Sequence, residues 1–178
     1  MPFQNKIKFA SVAMVLAFAL SHPLSSAAEE DKLRPLLIDA GYTEIPIYKL
    51  TTGHEIVHVS LNGEMGLIVI DSGASVTVIH WGSADKFSLT VSEAKKTGTG
   101  AGGKLAISQA PIDGISLAGL ELDLELVHVT DLSYVVDALA AAAATEVDGV
   151  VGQDVLTRFG GIIDVRGGRL FLHVPEEE

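Results

Sequence analysis

The chain has 178 residues, of which 48% are hydrophobic, with a formal net charge of −11 at pH 7 and no cysteine. This length suits one domain with enough apolar side chain to build a core. The acidic excess argues against nucleic acid or an anionic membrane surface as a partner, because both present negative phosphates. The lack of cysteine excludes disulfides, thiolate metal ligands and thiol nucleophiles.

The N-terminal segment has the layout of an export signal. Lys6 and Lys8 precede an apolar run at residues 9–20, and small residues follow at 25–28. This order is typical of a secretory signal, and an apolar run of about 12 residues is too short to span a bilayer comfortably. We predict a signal peptide at residues 1–28, a periplasmic or secreted mature protein, and no stable membrane insertion after cleavage. An uncleaved membrane anchor and a buried first helix are the alternatives.

The remainder is predicted to form a single domain with short extensions. Residues 29–41 begin with charged side chains and suit a flexible segment with a helical turn at 36–40. Residues 42–174 carry the strand-like patterns and form the domain. Residues 175–178 are an acidic tail.

The first half of the domain is predicted to be strands. Pro46 lies among apolar residues at 45–48, which suits an edge strand. Residues 56–61 are rich in β-branched side chains and end at Asn62-Gly63, a dipeptide typical of two-residue hairpins. Two further buried strands are predicted on either side of an aspartate, at residues 67–70 and 76–79.

The second half is predicted to combine strands with two short helices. Leucines alternate with acidic residues along 120–129, which predicts one strand with a buried and a solvated face. Alanines favour a helix at 131–145, capped by Asp131. The other predicted elements are a glycine-rich hairpin tip at 97–104, a strand at 147–151, a helix at 153–159, and a last hairpin of strands 162–165 and 170–174.

Residues 54–58, HEIVH, match the H-E-x-x-H signature of zinc metalloproteases. On a helix, His54 and His58 would lie on one face, close enough to share a zinc ion. The β-branched residues and the Asn62-Gly63 turn instead predict a strand, in which residues four apart are separated by about 13 Å. We therefore predict no metal and no other cofactor, and a zinc hydrolase is the least favoured alternative.

Asp71 stands between two apolar runs, within GLIVIDSGASVTVI at residues 66–79. A lone carboxylate is costly to bury unless it is paired, hydrogen-bonded or neutralised. A polar turn between two buried strands would also explain Asp-Ser-Gly, because these are common turn residues. The tripeptide alone is therefore weak evidence of function.

The wider pattern resembles the retropepsin-like aspartic proteases of the single-lobe bacterial type. Their active-site loop is an apolar strand, Asp-Thr/Ser-Gly-Ala and a second apolar strand, which Asp71, Ser72, Gly73 and Ala74 match within their flanks. The group's second motif, two hydrophobic residues and a glycine before a short helix, is similar to Val150, Val151 and Gly152. The glycine-rich tip, with Gly100, Gly102 and Gly103, stands where the group carries its flap hairpin. The resemblance covers roughly residues 42–174.

The resemblance implies a mostly β fold: a single-lobe acid-protease closed barrel with two short helices, active as a homodimer. Asp71 would be catalytic, Ser72 would hydrogen-bond to the partner loop, and Gly73 would donate an N–H to the carboxylate. Ala74 and Ser75 would line the floor beneath an extended polypeptide substrate. Two facing carboxylates share one proton, because like charges so close cannot both ionise. The ionised one would take a proton from a water, and the protonated one would polarise the scissile carbonyl.

Such a pair needs two aspartates, and this chain has one Asp-Ser-Gly. Asp113 and Asp148 are followed directly by glycine and lack the hydroxyl residue, and Asp164 lies in a predicted closing strand where a structural role is expected. The second Asp71 is therefore predicted to come from a second chain. The predicted function is an exported aspartic endopeptidase. The alternative is a catalytically inactive module of the same fold that binds peptides or dimerises.

Overall fold

The computed structural model describes residues 31–93, 96–100 and 103–174. The predicted signal peptide at 1–28 and the acidic tail at 175–178 lie outside this range. The α-helices are α1 (Leu33–Asp39), α2 (Ser133–Ala143) and α3 (Gln153–Arg158). The strands are β1 (Thr43–Pro46), β2 (Tyr48–Lys49), β3 (Glu55–Leu61), β4 (Glu64–Ile70), β5 (Val78–His80), β6 (Lys96–Gly100), β7 (Gly103–Pro111), β8 (Ile115–Leu117), β9 (Leu120–Leu122), β10 (Leu126–Thr130), β11 (Gly149–Val151), β12 (Ile162–Asp164) and β13 (Arg169–Leu172).

The described strands form two sheets. The larger has the order β6-β7-β10-β5-β11-β4-β3-β8-β9, with β2 paired to β3, and the smaller has the order β1-β13-β12. The mostly β prediction is confirmed, but the predicted closed barrel is wrong. The path ends at β6 and β9, which do not pair with each other. β6 extends away as a hairpin with β7, and β9 is only three residues long, so neither supplies the edge that closure requires.

The two short helices predicted within the domain are confirmed as α2 and α3. The helical turn predicted at 36–40 is longer than expected, because α1 begins at Leu33 although Pro35 follows two residues later. Proline is tolerated in the first helical turn, where its missing N–H would have no partner anyway. The predicted end at Gly41 is confirmed: Gly41 has φ +83°, and Tyr42 N–H donates to the Leu37 carbonyl across the turn. None of the described helices has the length and apolar character needed to cross a membrane.

Turn chemistry fixes the first hairpin as predicted. β3 and β4 are antiparallel with Leu61 opposite Glu64, so Asn62 and Gly63 form the two-residue connection. Both have positive φ, 51° and 85°, as a type I′ turn requires. The Asn62 side chain also accepts from the Asp113 N–H and donates to the Phe87 carbonyl, which ties two distant loops to the hairpin.

The single strand predicted at 120–129 is wrong, because it divides into β9 and β10. The Leu124 N–H donates to the Leu122 carbonyl, a tight three-residue turn centred on Asp123. Beyond this turn the alternation shifts by one residue: Leu126 is exposed and Val127 is buried. The alternation of leucines in the sequence therefore runs across the turn at Asp123 and does not mark the end of β9.

Apolar side chains cover both faces of the larger sheet. One cluster includes Ile68, Phe87 and Phe159, and the other packs β4, β5 and β11 against Leu139 of α2. Central strands buried on both faces read as continuous apolar runs, which explains the runs flanking Asp71.

A buried carboxylate joins the loop after β5 to the centre of this sheet. Asp148 accepts hydrogen bonds from Leu67 N–H at 3.0 Å, Ser83 Oγ at 2.9 Å and Lys86 Nζ at 2.7 Å. A Cβ at Gly66 would lie 2.5 Å from Asp148 Oδ2, so the glycine makes room for it. With this burial and pairing, Asp148 is committed to the fold.

We expect Asp148→Ala to lower the free energy of unfolding by about 3 kcal/mol, because it leaves a buried N–H and hydroxyl unsatisfied and an amine unpaired. Urea denaturation measures this. The matched control is Asp123→Ala, which removes an ion pair with Arg158; the Asp123 side chain is 79% exposed. This substitution should lower the free energy of unfolding by less than about 1 kcal/mol. Equal effects of the two substitutions would contradict the structural role of Asp148.

Candidate active site

The site is built where two parallel strands end side by side. β4 and β11 are paired in parallel, with Val151 opposite Ile70, so the residues that follow both strands meet at one edge of the sheet. These residues are Asp71 after β4 and Gly152 after β11. The Asp71 N–H donates to the Val151 carbonyl at 3.0 Å, which fixes the backbone at the start of the loop.

The Asp71 carboxylate is exposed and held by its own loop. Gly73 N–H donates to Asp71 Oδ1 at 2.8 Å, and Ala74 N–H donates to the Asp71 carbonyl at 3.1 Å. A Cβ at Gly73 would lie 3.1 Å from that same Oδ1, tighter than ordinary van der Waals contact. The predicted contact between Gly73 and the carboxylate is therefore present, and it is made by the backbone.

Gly152 allows the loop to pass directly over the end of β11. An added Cβ would lie 2.5 Å from the carbonyl carbon and oxygen of Val76, and 2.9 Å from the Ala74 oxygen. These are backbone atoms of the Asp71 loop, which cannot move aside without moving the loop. The predicted second motif thus has a steric role. Val150 and Val151 lie in β11, and Gly152 is the point where the backbone of the Asp71 loop passes close over the end of that strand, which we call the close crossing.

A buried threonine links the crossing to α3. Thr77 is 3% exposed, and its Oγ1 accepts from Gly152 N–H at 3.0 Å. Thr77 N–H and Oγ1 both donate to Asp154 Oδ1, at 2.7 Å and 2.8 Å. This pair was not predicted, although a threonine inside the apolar run at 76–79 indicates a buried hydroxyl that needs a partner.

Gln153, the first residue of α3, binds the loop from the other side. Its backbone N–H donates to the Ala74 carbonyl at 2.8 Å, and its side-chain Nε2 donates to the Ser72 carbonyl at 2.7 Å. The loop that carries Asp71 is therefore hydrogen-bonded to β11 and to α3.

A groove of about 550 Å³ opens in front of Asp71. Its lining includes Ala74 and Ser75, the predicted floor residues, together with Gly73 and Val150. The hairpin of β6 and β7 contributes Gly100, the only one of the three predicted flap glycines among the described lining residues. Gly103 begins β7 without lining the groove, Gly102 lies outside the described residues, and Ser72, Val151 and Gly152 support the floor without lining it. The remaining lining residues are Val76, Val78, Gly98, Thr99, Lys104, Leu105, Ile107 and residues 130–135.

The segment before and within the first turn of α2 also lines the groove, which the sequence did not indicate. Asp131 accepts hydrogen bonds from the backbone N–H and the hydroxyl of Ser133, the first residue of α2. The predicted cap is corrected, because the N-cap is Leu132, without a side-chain cap hydrogen bond, and Asp131 lies one residue before it. The Ser133 hydroxyl, with the Ser133 N–H, lowers the pKa of Asp131. Tyr134, 70% exposed, is the large aromatic side chain of this segment.

The HEIVH segment is a strand, as predicted. His54 precedes β3, and Glu55 to His58 lie within it. Glu55 pairs with Lys49 at 3.4 Å, and the His58 ring contacts the Tyr48 ring edge-on. Within the described part of the chain, no three His, Cys, Asp or Glu side chains are grouped in a way that could hold a metal ion.

Comparison with known proteins agrees with this architecture. A family model described as aspartyl protease matches residues 57–155, more than half of the chain. A retropepsin-like aspartic protease from Rickettsia conorii is similar at 19% identity and a TM-score of 0.50, with 74% of this chain and 90% of that chain covered. EIAV protease complexed with an inhibitor is similar at 16% identity and a TM-score of 0.44, with 57% and 84% covered. No curated protein matches the chain.

The chain belongs to the aspartyl protease family. Its fold is retropepsin-like, and family and fold together support aspartic protease activity in general.

The close crossing predicts the effect of one added methyl group. We expect Gly152→Ala to lower the free energy of unfolding by about 2 kcal/mol, because its Cβ forces the Asp71 loop off the end of β11. Gly152 has φ −108°, which alanine adopts freely, so the cost would be steric. Gly114→Ala is the matched control, since a Cβ there meets nothing within 4 Å. Indistinguishable urea midpoints for the two variants would refute the close crossing.

Proposed function

We propose that this protein is an exported aspartic endopeptidase whose active site forms between two copies of the chain, each contributing Asp71. The observation that carries the proposal is the exposed Asp71 carboxylate on a backbone-fixed loop, in the floor of a groove bordered by the β6–β7 hairpin. A carboxylate held this way, in a site open to substrate, suits acid–base chemistry rather than folding.

The second carboxylate is proposed to come from a second chain because the other aspartates are committed elsewhere. Asp148 is buried against Lys86, Asp164 pairs with Arg169, and Asp113 lies in a turn. Asp131 lines the same groove, but its Oδ1 already accepts hydrogen bonds from the backbone N–H and the hydroxyl of Ser133, which hold it at the start of α2. A twofold axis beside Asp71 would bring two identical carboxylates together.

In this mechanism the two Asp71 carboxyls share one proton and hold a water between them. The ionised carboxylate takes a proton from the water as the water oxygen attacks the scissile carbonyl carbon. The protonated carboxyl donates its proton to the carbonyl oxygen. Collapse of the tetrahedral intermediate breaks the C–N bond, and a carboxyl passes its proton to the leaving nitrogen. The apparent titration belongs to the pair and not to either residue.

The proposed substrate is an extended polypeptide. The hairpin and the floor offer backbone groups on two sides of the groove, which suits strand addition by a peptide. Homodimerisation, export and cleavage within polypeptide chains are parts of the same proposal. The Ser72 carbonyl is bound by Gln153, and the exposed Ser72 hydroxyl is expected to contact the partner loop.

One assay separates this proposal from its rivals. Asp71→Asn should abolish cleavage of an unstructured protein such as casein, because the pair can no longer share a proton, and a chelator should leave native cleavage unchanged. Asp113→Asn is the matched control, because the Asp113 side chain is exposed and its contact among the described residues is made by its backbone N–H. Loss of activity with chelator would support a zinc hydrolase, and no cleavage by the native protein would favour an inactive binding module.

A mixing experiment tests whether the site is shared. When native and Asp71→Asn chains are refolded together in equal amounts, the mixture should show about a quarter of the activity of the same total amount of native chain. The reason is that only native homodimers carry two Asp71 carboxylates, and random pairing makes them about a quarter of all dimers. If each chain held a complete site, half would remain. A chain that sediments as a monomer under all assay conditions would also overturn the shared site.

Export predicts a defined new N-terminus. In a bacterial host with an intact secretion pathway, mass spectrometry of the recovered protein should show a chain starting at Glu29, since small residues at 25–28 precede the proposed cleavage point. A variant with the apolar run interrupted by arginine at Leu16 should keep its full length and stay inside the cell. Full-length native protein in the membrane fraction would indicate the anchor alternative, and in the cytosol it would refute export.

A further inference from the structure

The side chain of Gln153 is exposed, yet hydrogen bonds hold it at both ends. Nε2 donates to the Ser72 carbonyl at 2.7 Å, and Oε1 accepts from Thr157 Oγ1 at 3.2 Å. A carbonyl oxygen can only accept, so the amide nitrogen is the end that faces Ser72. Ordering an exposed glutamine costs side-chain entropy, so a held conformation on the active-site loop points to a role there.

The bond to Ser72 acts on the same peptide unit that binds Asp71. The carbonyl of Ser72 and the N–H of Gly73 belong to one planar peptide group and point in opposite directions. Gln153 holds the carbonyl on one side, and the N–H donates to Asp71 Oδ1 at 2.8 Å on the other. Fixing one end of this plane fixes the direction of the other, and donation to the carbonyl polarises the N–H into a stronger donor.

We propose that Gln153 is a positioning residue for catalysis, which holds the Ser72–Gly73 peptide so that its N–H stays directed at the Asp71 carboxylate. This inference rests on the proposed function, because it concerns the carboxylate assigned to the chemistry. A hydrogen bond to a carboxylate favours its ionised form, so Gln153 supports the member of the pair that accepts the proton from water.

The other charged groups around Asp71 are not altered by changing Gln153. Lys104 of β7 and Asp131 before α2 share the groove with Asp71. On α3, Asp154 accepts a hydrogen bond from the Thr77 hydroxyl, and Arg158 forms an ion pair with Asp123. A change in pH dependence on replacing Gln153 by an uncharged residue would therefore come from the Ser72–Gly73 peptide.

The test replaces Gln153 by residues of similar length with different donors. Gln153→Met keeps the shape and removes the donor, whereas Gln153→Arg places the Nε–H donor the same number of bonds from the backbone. In Gln153→Met we expect kcat to fall several-fold with little change in KM. The acidic limb of the kcat profile should move to higher pH by roughly half a unit, the equivalent of about half a net hydrogen bond. Gln153→Arg should return the limb toward its native position further than Gln153→Lys, which carries the same charge without an N–H at that position.

The matched control is Gln109→Ala, which removes a glutamine side chain whose hydrogen bond, to His128, is outside the groove. It should leave the acidic limb in place. Thermal unfolding of each variant identifies any general loss of structure. If Gln153→Met lowers kcat without moving the limb, or Gln153→Arg fails to restore it, the positioning role is refuted.

A second readout separates this inference from the proposed function. The ¹³Cγ shift of Asp71 reports its titration in the protein without any substrate. If the native protein cleaves nothing, the proposed function fails, while a higher titration midpoint in Gln153→Met would still support the link through the peptide. An unchanged midpoint would overturn that link whether or not the protein is a peptidase.

Discussion

The structure of the site depends on one backbone constraint: the loop after β4 crosses the end of β11 at a distance that only glycine permits. A Cβ added at Gly152 would lie 2.5 Å from the Val76 carbonyl, so the main chains of the two segments are in contact. Around this crossing, Asp71 N–H binds the Val151 carbonyl and Gly152 N–H binds Thr77 Oγ1. The carboxylate is therefore placed by hydrogen-bonded backbone from distant parts of the sequence, which is the kind of support that keeps a functional group in a fixed position.

The local features of this arrangement could be predicted from the sequence. Asn62-Gly63 specified a two-residue hairpin because both residues accept positive φ. That turn, with the β-branched residues before it, decided that HEIVH is a strand and not a metal-binding helix. The apolar runs on both sides of Asp71 likewise marked central strands, because strands buried on both faces show no alternation. In each case the deciding physics acts within a few residues.

What the sequence could not supply depends on contacts between distant segments. The leucine alternation at 120–129 continued through the turn at Asp123, because a period of two does not record a change of direction. Closure of the sheet depends on whether β6 and β9 reach each other, and neither strand encodes that. The Thr77–Asp154 hydrogen bond connects residues far apart in the chain. The same is true of the groove, where residues 130–135 lie beside the Asp71 loop. For the same reason, Asp131 was predicted only as a helix cap, and its place in the groove was missed.

Asp71 and Asp148 show how the surroundings of a carboxylate decide its use. Each is close to a glycine and to one end of a central strand: Asp71 follows β4 and is followed by Ser-Gly, whereas Asp148 precedes β11 and is followed directly by glycine. Asp148 accepts from an amine, a hydroxyl and a backbone N–H, so both of its oxygens are occupied by contacts that hold the fold together. Among the described residues, the carboxylate of Asp71 receives one hydrogen bond, on Oδ1 from Gly73. An oxygen left open toward a groove can bind water or a shared proton, so the more weakly bound of the two aspartates is the one suited to chemistry.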